Sequence, residues 1–96
     1  MAVGDMAGAL SSIASGSTLD VQPAGTEEWI IHNIYHEDDI ELQFYDGANV
    51  ITFDSELGSG TYSRFSFHCK NALRLRVKNN ASSNKLIGYD GVISKT

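Results

Sequence analysis

The sequence predicts an all-β fold, a single antiparallel β-sandwich or jelly-roll-like domain with an N-terminal extended arm. From Glu27 to Ile93, short runs of alternating apolar and polar residues succeed one another, separated by Gly, Asn, Asp and Ser. No part of this region has the apolar spacing of a long helix. A length of 96 residues suits one domain with one modest core. We therefore expect an arm over residues 1–17 and a β-sandwich domain over residues 18–96.

The composition is that of an acidic globular protein, with 42% apolar residues, 20% charged residues and a formal net charge of -5. Such a chain repels phosphate backbones, so we expect no nucleic acid among its partners. Its first residues contain neither a basic stretch nor a long apolar run, which predicts no signal peptide, no membrane span and synthesis in a cytoplasm. Cys69 is the single cysteine and shares its parity with Phe65 and Phe67, so we expect it in the core.

The arm over residues 1–17 is dominated by Ala, Gly and Ser, which have little surface to bury. Within it, Met6, Leu10 and Ile13 stand at helical spacing, so a short amphipathic turn could form against a partner surface. The alternative is a mobile leader. If the arm is ordered, we expect a neighbouring chain to order it.

The first half of the sandwich contains three predicted strands. Thr18–Gln22 is short, and Pro23 ends it because proline cannot occupy a central ladder. Glu27–His36 is the longest and has apolar residues at both odd and even positions, and therefore on both faces of the strand. This indicates a central or interface strand. These residues are Trp29, Ile31 and Tyr35 on one parity and Ile30 and Ile34 on the other. Ile40–Tyr45 alternates regularly and predicts a half-buried strand.

The second half begins with the clearest turn, Asp46–Asn49, where Gly47 accepts a positive φ and Asp46 can bond to the following backbone. The remaining predicted strands are Val50–Asp54, Thr61–Cys69, Leu73–Lys78 and Lys85–Ile93. Gly88 and Gly91 in the last of them indicate a β-bulge or a close backbone approach. Seven short strands without helical crossovers favour two layers, with a five-stranded, partly open barrel as the alternative.

A basic ladder is predicted on the outer face of two neighbouring strands. It consists of Arg64, Arg74, Arg76 and Lys78. Arginine forks pair well with carboxylates, so this face could dock an acidic protein surface. The alternative is a solvated face whose charge is balanced by Glu41 and the acidic residues 37–39.

The sequence offers no set of residues for catalysis or metal binding. His32 and His36 stand four residues apart, which on a strand separates them by about 13 Å. The acidic residues 37–39, together with Asp54 and Glu56, could supply calcium ligands, but their spacing is not that of a calcium-binding loop and a solvated turn explains them. We therefore expect no enzymatic activity, no catalytic residue, no metal and no cofactor.

A series of turn and core patterns extends through most of residues 18–95. It comprises Pro23–Tyr35, Tyr45–Gly47, Phe53–Ser55, Gly58–Gly60, Leu75–Asn79 and Ile87–Val92. These patterns resemble small tailed-bacteriophage virion proteins, although the arm does so only loosely. The resemblance implies a β-sandwich without enzymatic activity that serves as a capsid decoration (cement) protein or as a tail or fibre component.

The leading functional hypothesis is a decoration protein that binds and stabilises the major capsid lattice as a homo-oligomer, for example a trimer. Its place would be the virion, and its partner the major capsid protein or another virion protein. The expected partner-binding residues are Met6, Leu10, Ile13, Trp29, Tyr35, Arg64, Arg74, Arg76 and Lys78. Tyr45 and Tyr62 are further candidates for exposed aromatic anchors.

The alternative hypothesis is a tail or fibre component that recognises carbohydrate on the host surface. Sugar binding uses exposed aromatic rings beside polar side chains. Tyr45, Asp46 and Asn49 at the predicted hairpin tip offer such a combination. Decoration proteins occur in hundreds of copies per particle and tip proteins in a few, so copy number separates the two hypotheses.

Overall fold

A computed structural model describes residues 2–64 and 66–96, and this part of the chain forms nine β-strands. In chain order they are β1 Met6–Ile13, β2 Thr18–Val21, β3 Glu28–His36, β4 Ile40–Tyr45, β5 Val50–Glu56, β6 Gly60–Tyr62, β7 Phe67–Lys70, β8 Arg74–Asn79 and β9 Lys85–Lys95. The described residues include no helix that is long and apolar enough to cross a membrane.

The strands form two antiparallel sheets. The first has the order β1-β9-β3-β6, and β7 also pairs with β3. The second has the order β2-β8-β4-β5. The all-β prediction is confirmed, and the two sheets enclose one core in a sandwich-like arrangement. The finer expectation of a jelly roll stays a prediction.

Most predicted strands lie where the alternation placed them, but the strand predicted over Thr61–Cys69 is divided. β6 pairs with the last residues of β3, and β7 pairs with its first residues. Phe65, expected to point inward between them, lies outside the described residues. Because β3 is long, its single edge accommodates both short strands.

The N-terminal segment differs from the expected arm. Met6–Ile13 is a strand that pairs with β9 in unbroken register, from Met6 opposite Val92 to Ile13 opposite Lys85. The helical turn expected for Met6, Leu10 and Ile13 is therefore wrong. Gly8, Ser11 and Ser12 are weak helix formers, and the edge of β9 satisfies the backbone of this segment as a strand. The segment is ordered by its own chain and not by a neighbour.

One core lies between the sheets. Its fully or nearly fully buried members include Val21, Ile31, Ile34, Ile40, Leu42, Tyr62, Cys69, Leu75, Val77, Ile87 and Tyr89. Cys69 is 2% exposed, which confirms its predicted place, and burial raises the pKa of its thiol. A thiol with a raised pKa is mostly protonated near neutral pH and is therefore a poor nucleophile.

The prediction that Glu27–His36 is a central strand is confirmed, since β3 lies between β9 on one side and β6 and β7 on the other. Its second half is irregular. The register with β9 shifts between Ile31 and Asn33, which marks a β-bulge or similar irregularity. As a result Ile31 and Ile34 are both fully buried, while Tyr35 points to solvent. A bulge exchanges the faces on which successive side chains lie, and this explains why both parities of β3 carry apolar residues.

Gly91 lies beside this irregularity, where β9 approaches β3 too closely for a side chain. A Cβ at residue 91 would collide with the carbonyl oxygen of Ile30 and lie 2.8 Å from the Cα of Ile31. The close backbone approach predicted for the glycines of β9 is thus confirmed.

Asn79, at the end of β8, is a fully buried polar residue that joins three segments. Its Nδ2 donates to the carbonyl oxygens of Ile13 and Ser83 at 2.8 and 3.0 Å. Its Oδ1 accepts the N–H of Ala81 at 2.9 Å. The end of β1 is therefore fastened to the second sheet and to the loop after β8.

We expect Gly91→Ala to destabilise the protein by about 3 kcal/mol, since two backbones would have to separate to admit the methyl group. The measurement is chemical denaturation followed by circular dichroism. Gly25→Ala is the matched control, because a Cβ there meets no atom within 4 Å. Equal stability of the two variants would contradict the close approach of β9 and β3.

Candidate functional site

Exposed apolar side chains collect at two edge strands on opposite sides of the protein. On β1, Met6 and Leu10 are 71% and 66% exposed. On β5, Ile51 and Phe53 are 62% and 40% exposed. β1 lies against β2, whereas β5 lies against β6 and β7, so the two edges face away from each other. Exposed apolar edge strands are common sites of association.

The first apolar surface is the β1 groove, which is lined mainly by Met6, Gly8, Leu10, Tyr35 and Asp90 and has a volume of about 590 Å³. It runs over the outer face of the first sheet from β1 across β9 to β3. Met6, Leu10 and Tyr35, three of the predicted partner-binding residues, are brought together here.

The floor of the β1 groove is low because two glycines lie in it. Gly8 is opposite Asp90, and Gly88 is opposite Leu10 in the β1–β9 ladder. A Cβ at Gly8 would lie 2.9 Å from the carbonyl oxygen of Tyr89, so no side chain fits there without movement of the backbone. Gly8 therefore forms a notch between the exposed side chains of Met6 and Leu10.

Asp90 is the charged centre of the β1 groove, and donors from β3 engage both of its oxygens. Asn33 Nδ2 donates to Oδ1 at 2.8 Å, and the Tyr35 hydroxyl donates to Oδ2 at 2.7 Å. The hydrogen bond to Asp90 raises the pKa of the Tyr35 hydroxyl, since it favours the protonated phenol. The Asn33 bond fixes the Asp90 carboxylate, and the Tyr35 bond holds the Tyr35 side chain across the groove.

The second apolar surface is the β5 patch, formed mainly by Phe44, Ile51, Phe53 and Phe67 around a cavity of about 380 Å³. The rings of Phe53 and Phe67 are 5.5 Å apart and join the edge of the second sheet to β7 of the first. A register shift between Leu42 and Gln43 in the β4–β5 ladder marks an irregularity in this edge. Because Ile51 and Phe53 remain exposed beside this cavity, the sandwich is open to solvent on this side.

The polar rim of the β5 patch contains a buried hydroxyl. Tyr62 is 1% exposed, and its hydroxyl donates to Asp54 Oδ2 at 2.7 Å. Burial and the neighbouring carboxylate raise the pKa of Tyr62 to about 12. The expectation that Tyr62 is an exposed aromatic anchor is wrong, because its ring stacks on Phe67 inside the sandwich.

The predicted basic ladder does not exist as one face. Arg64 lies after β6, with Nη1 3.6 Å from Asp54 Oδ2, whereas Arg74, Arg76 and Lys78 lie on β8 in the other sheet. The prediction failed because alternation gives the face of a strand but not the sheet to which the strand belongs.

Arg74 and Arg76 are engaged within the protein. Their Nε atoms lie 3.2 and 2.8 Å from the carboxylate of Asp20. Their guanidinium carbons lie 4.8 and 3.8 Å from the ring centroid of Tyr45. Lys78 lies opposite Glu41 in the neighbouring strand. The two arginines are therefore partly neutralised and cover an aromatic ring, and Lys78 lies beside a carboxylate.

The Asp20 carboxylate is stabilised in its charged form by this arrangement. Burial alone would raise its pKa, but the hydrogen bonds and charges of Arg76 and Arg74 outweigh burial and hold the pKa of Asp20 below its ordinary value.

Two other predicted anchors are not free surface residues. Trp29 is partly buried against the core, near Tyr89, and its Nε1 donates to Glu27 Oε1 at 3.1 Å. Ile13 likewise packs against the core from the end of β1. Helical spacing grouped Ile13 with Met6 and Leu10, but on a strand Ile13 has the opposite parity and faces the core.

The hairpin tip proposed for carbohydrate binding is already occupied by its own contacts. The Asp46 carboxylate accepts the N–H groups of Ala48 and Asn49 at 2.9 and 2.6 Å, which lowers its pKa and confirms the predicted turn. Gly47 has a φ of 97° there. Because Arg76 covers one face of Tyr45, that face cannot stack on a sugar.

The histidines do not assemble a metal site. His36 is buried, with Nε2 2.8 Å from Glu56 Oε1 and Nδ1 2.8 Å from the Gly58 carbonyl oxygen. His32 is exposed on the other face of β3. Within residues 2–64 and 66–96, no group of three or more His, Cys, Asp or Glu side chains could hold a metal ion. His36 instead links the end of β3 to the β5–β6 connection.

The sequence reasoning missed the Asp90 network and the β5 patch. A signal for the patch was available, since Val50, Ile51 and Phe53 follow the Asp46–Asn49 turn with only Thr52 as a polar interruption. No local signal could have placed Asn33 beside Asp90, because 57 residues separate them along the chain.

The fold and these surfaces define a small protein of two antiparallel sheets with an apolar surface at each of two edges. No protein-family model matches the chain, and no curated protein matches it either. The resemblance to phage virion proteins therefore stays a prediction.

We expect Asp90→Asn to shift the pKa of Tyr35 back towards the ordinary tyrosine value of about 10. The carboxylate that favours the protonated phenol would be absent, while the amide could still accept a hydrogen bond. Tyrosine ring signals in an NMR titration measure the shift, with Tyr62 as the internal control. An unchanged Tyr35 titration would show that the Asp90 contact does not form in solution.

A second prediction concerns acid stability. Because the pKa of Asp20 is lowered in the folded state, its contribution is present above the unfolded pKa of about 3.9 and is lost as pH falls through the lower folded value. Asp20→Asn should therefore be less stable at neutral pH and lose less stability on acidification than the unmodified protein. Arg76→Gln should reduce the same acid-sensitive component in denaturation measured from neutral to acidic pH. An unchanged pH dependence in both variants would contradict the ion pair.

Proposed function

We propose that the protein is a non-enzymatic virion structural protein, and specifically a capsid decoration protein that binds and stabilises the major capsid lattice. The observation that carries the proposal is the position of the β1 groove and the β5 patch on opposite sides of one small domain. A subunit held in a lattice needs at least two separate contact surfaces, one for each kind of neighbour.

The chemistry of the two surfaces supports association with proteins. Both combine large apolar or aromatic side chains with a rim of hydrogen-bonded acids, as in the centre and rim of protein interfaces. The resemblance of the turn and core patterns to small phage virion proteins supports the choice of the capsid as partner. The jelly-roll-like topology and the homo-oligomeric state belong to the same proposal.

The β5 patch is the surface we assign to the major capsid protein. It is open to solvent and lies on the side of the domain away from β1. Asp54 and Arg64 at its margin pair with each other, so the apolar centre is presented without a large excess charge. An apolar surface of the capsid protein would pack against the β5 patch and cover this open side of the sandwich.

The test of the proposal is the number of copies of this chain per purified virion, measured by quantitative mass spectrometry against the major capsid protein. A ratio near one, or of one to a few, is expected for a lattice-covering protein. A few copies per particle would favour the tail or fibre alternative instead. Absence from the particle would overturn the proposal altogether.

We also expect Ile51→Lys to abolish re-binding of purified protein to particles grown without it, since each contact would then bury an unpaired ammonium group. Thr52→Lys is the matched control, because it places the same charge on the same strand beside Glu41. Co-sedimentation with the particles measures binding. Equal binding by both variants would show that the β5 patch is not the capsid contact.

A further inference from the structure

We propose that β1 pairs with β1 of a second copy of this chain, in antiparallel orientation about a two-fold axis, to form one sheet continuous across two subunits. The inference rests on the proposed function and deepens it by naming a second copy as the partner at the β1 edge. β1 is at the end of the first sheet, and among the described residues no strand lies on its other side.

The composition of β1 leaves this edge unprotected. Its sequence, MAGALSSI, contains no charged residue and no proline. Natural edge strands commonly carry a lysine, a proline or a bulge that prevents pairing with another chain. β1 has none of these over Met6–Ile13, and its register with β9 is unbroken over the same residues. In a chain of net charge -5, an uncharged strand is also where two copies can approach with little repulsion.

Hydrogen bonds at the start of β1 show which residues face the free edge. The Gly4 N–H donates to the Ile93 carbonyl oxygen at 2.8 Å, and the Ile93 N–H donates to the Asp5 carbonyl oxygen at 2.9 Å. Bonded and non-bonded pairs alternate along an antiparallel ladder. Counting on from Asp5, the odd-numbered residues bond to β9, and the N–H and C=O groups of Met6, Gly8, Leu10 and Ser12 point outward.

This alternation restricts the register of a β1–β1 pair. Only even-numbered residues present free groups, so each must face an even-numbered residue of the other copy. One register uses all four, placing Met6 opposite Ser12 of the second copy and Gly8 opposite Leu10 of the second copy. The two-fold axis then passes between the two copies of Ala9.

The side chains fit the same register. Residues that face each other across an antiparallel pair lie on the same side of the sheet. Leu10 of each copy, which is 66% exposed in the single chain, would therefore lie over the notch at Gly8 of the other copy, between Met6 and Leu10. Each subunit supplies one projecting side chain and one notch, which is the self-complementarity that a two-fold interface requires.

Charges at the ends of the strand agree with this register. Asp5 of one copy would lie opposite Ile13 of the other, and Ile13 is paired with Lys85 in β9. Asp5 and the Lys85 of the second copy would thus be two strand spacings apart, about 10 Å between Cα atoms, within reach of the long lysine side chain. The two-fold axis repeats this pair of opposite charges at both ends.

The first experiment is sedimentation equilibrium of the full chain over a range of concentrations. We expect a monomer–dimer equilibrium, and Leu10→Glu should weaken dimerisation at least about 100-fold, because each dimer would bury two carboxylates near Asp90. Leu57→Glu is the matched control, since Leu57 is 83% exposed on the opposite side of the protein. Circular dichroism verifies that both variants are folded.

Disulfide trapping tests the register. In the proposed register the two Ala9 residues form a non-bonded pair with Cα atoms about 4.5 Å apart, a separation that a disulfide can span. Ala9→Cys should therefore give a covalent dimer on mild oxidation, whereas the unmodified chain, with only the buried Cys69, should not. Trapping through Leu10→Cys but not Ala9→Cys would overturn the register.

A chain that stays monomeric at every concentration would overturn the β1 pairing. High copy number on the virion together with a monomeric free protein would overturn this inference alone. A two-fold dimer that is absent from the particle would support the inference and overturn the proposed function alone.

Discussion

The close pairing of β9 with β3 is the constraint on which the rest of the structure depends. β9 joins β1 on one side to β3 on the other, and β3 in turn holds both β6 and β7. Gly91 permits this pairing at the irregularity of β3, because any side chain there would meet the backbone of Ile30 and Ile31. The irregularity turns Ile34 into the core and Tyr35 onto the outer face. The same register shift therefore contributes a side chain to the core and another to the β1 groove.

The two apolar surfaces have different origins. The β1 groove forms where the β1–β9 ladder lacks side chains, since Gly8 and Gly88 leave its floor low. The β5 patch forms where the edge of the sandwich is not fully closed. Phe53 and Phe67 bridge the two sheets there but do not exclude water. The β1 edge thus offers unpaired backbone N–H and C=O groups, which bind another strand. The β5 patch offers exposed apolar surface, which binds an apolar surface of a partner.

Local alternation predicted the strands well and their assembly poorly. Ile40–Tyr45 and the Asp46–Asn49 turn lie where the pattern placed them, because side-chain period and turn chemistry act over a few residues. The β3 irregularity lies opposite Gly91, about sixty residues away, so no local pattern could show that Ile31 and Ile34 would both be buried. The helical spacing of Met6, Leu10 and Ile13 was misleading because β9 offered a ladder that no local pattern reveals. The grouping of Arg64 with Arg74 failed for the same reason, since strand order is a long-range property.

The pairing of β1 with β9 has a consequence for the order of events during synthesis. β1 leaves the ribosome well before β9, with which it pairs. The hydrogen bond from Asn79 to the Ile13 carbonyl oxygen likewise forms only after Asn79 has been synthesised. Contacts of such long sequence separation form slowly. During this interval β1 has no partner strand within its own chain, so completion of the first sheet waits for the synthesis of β9.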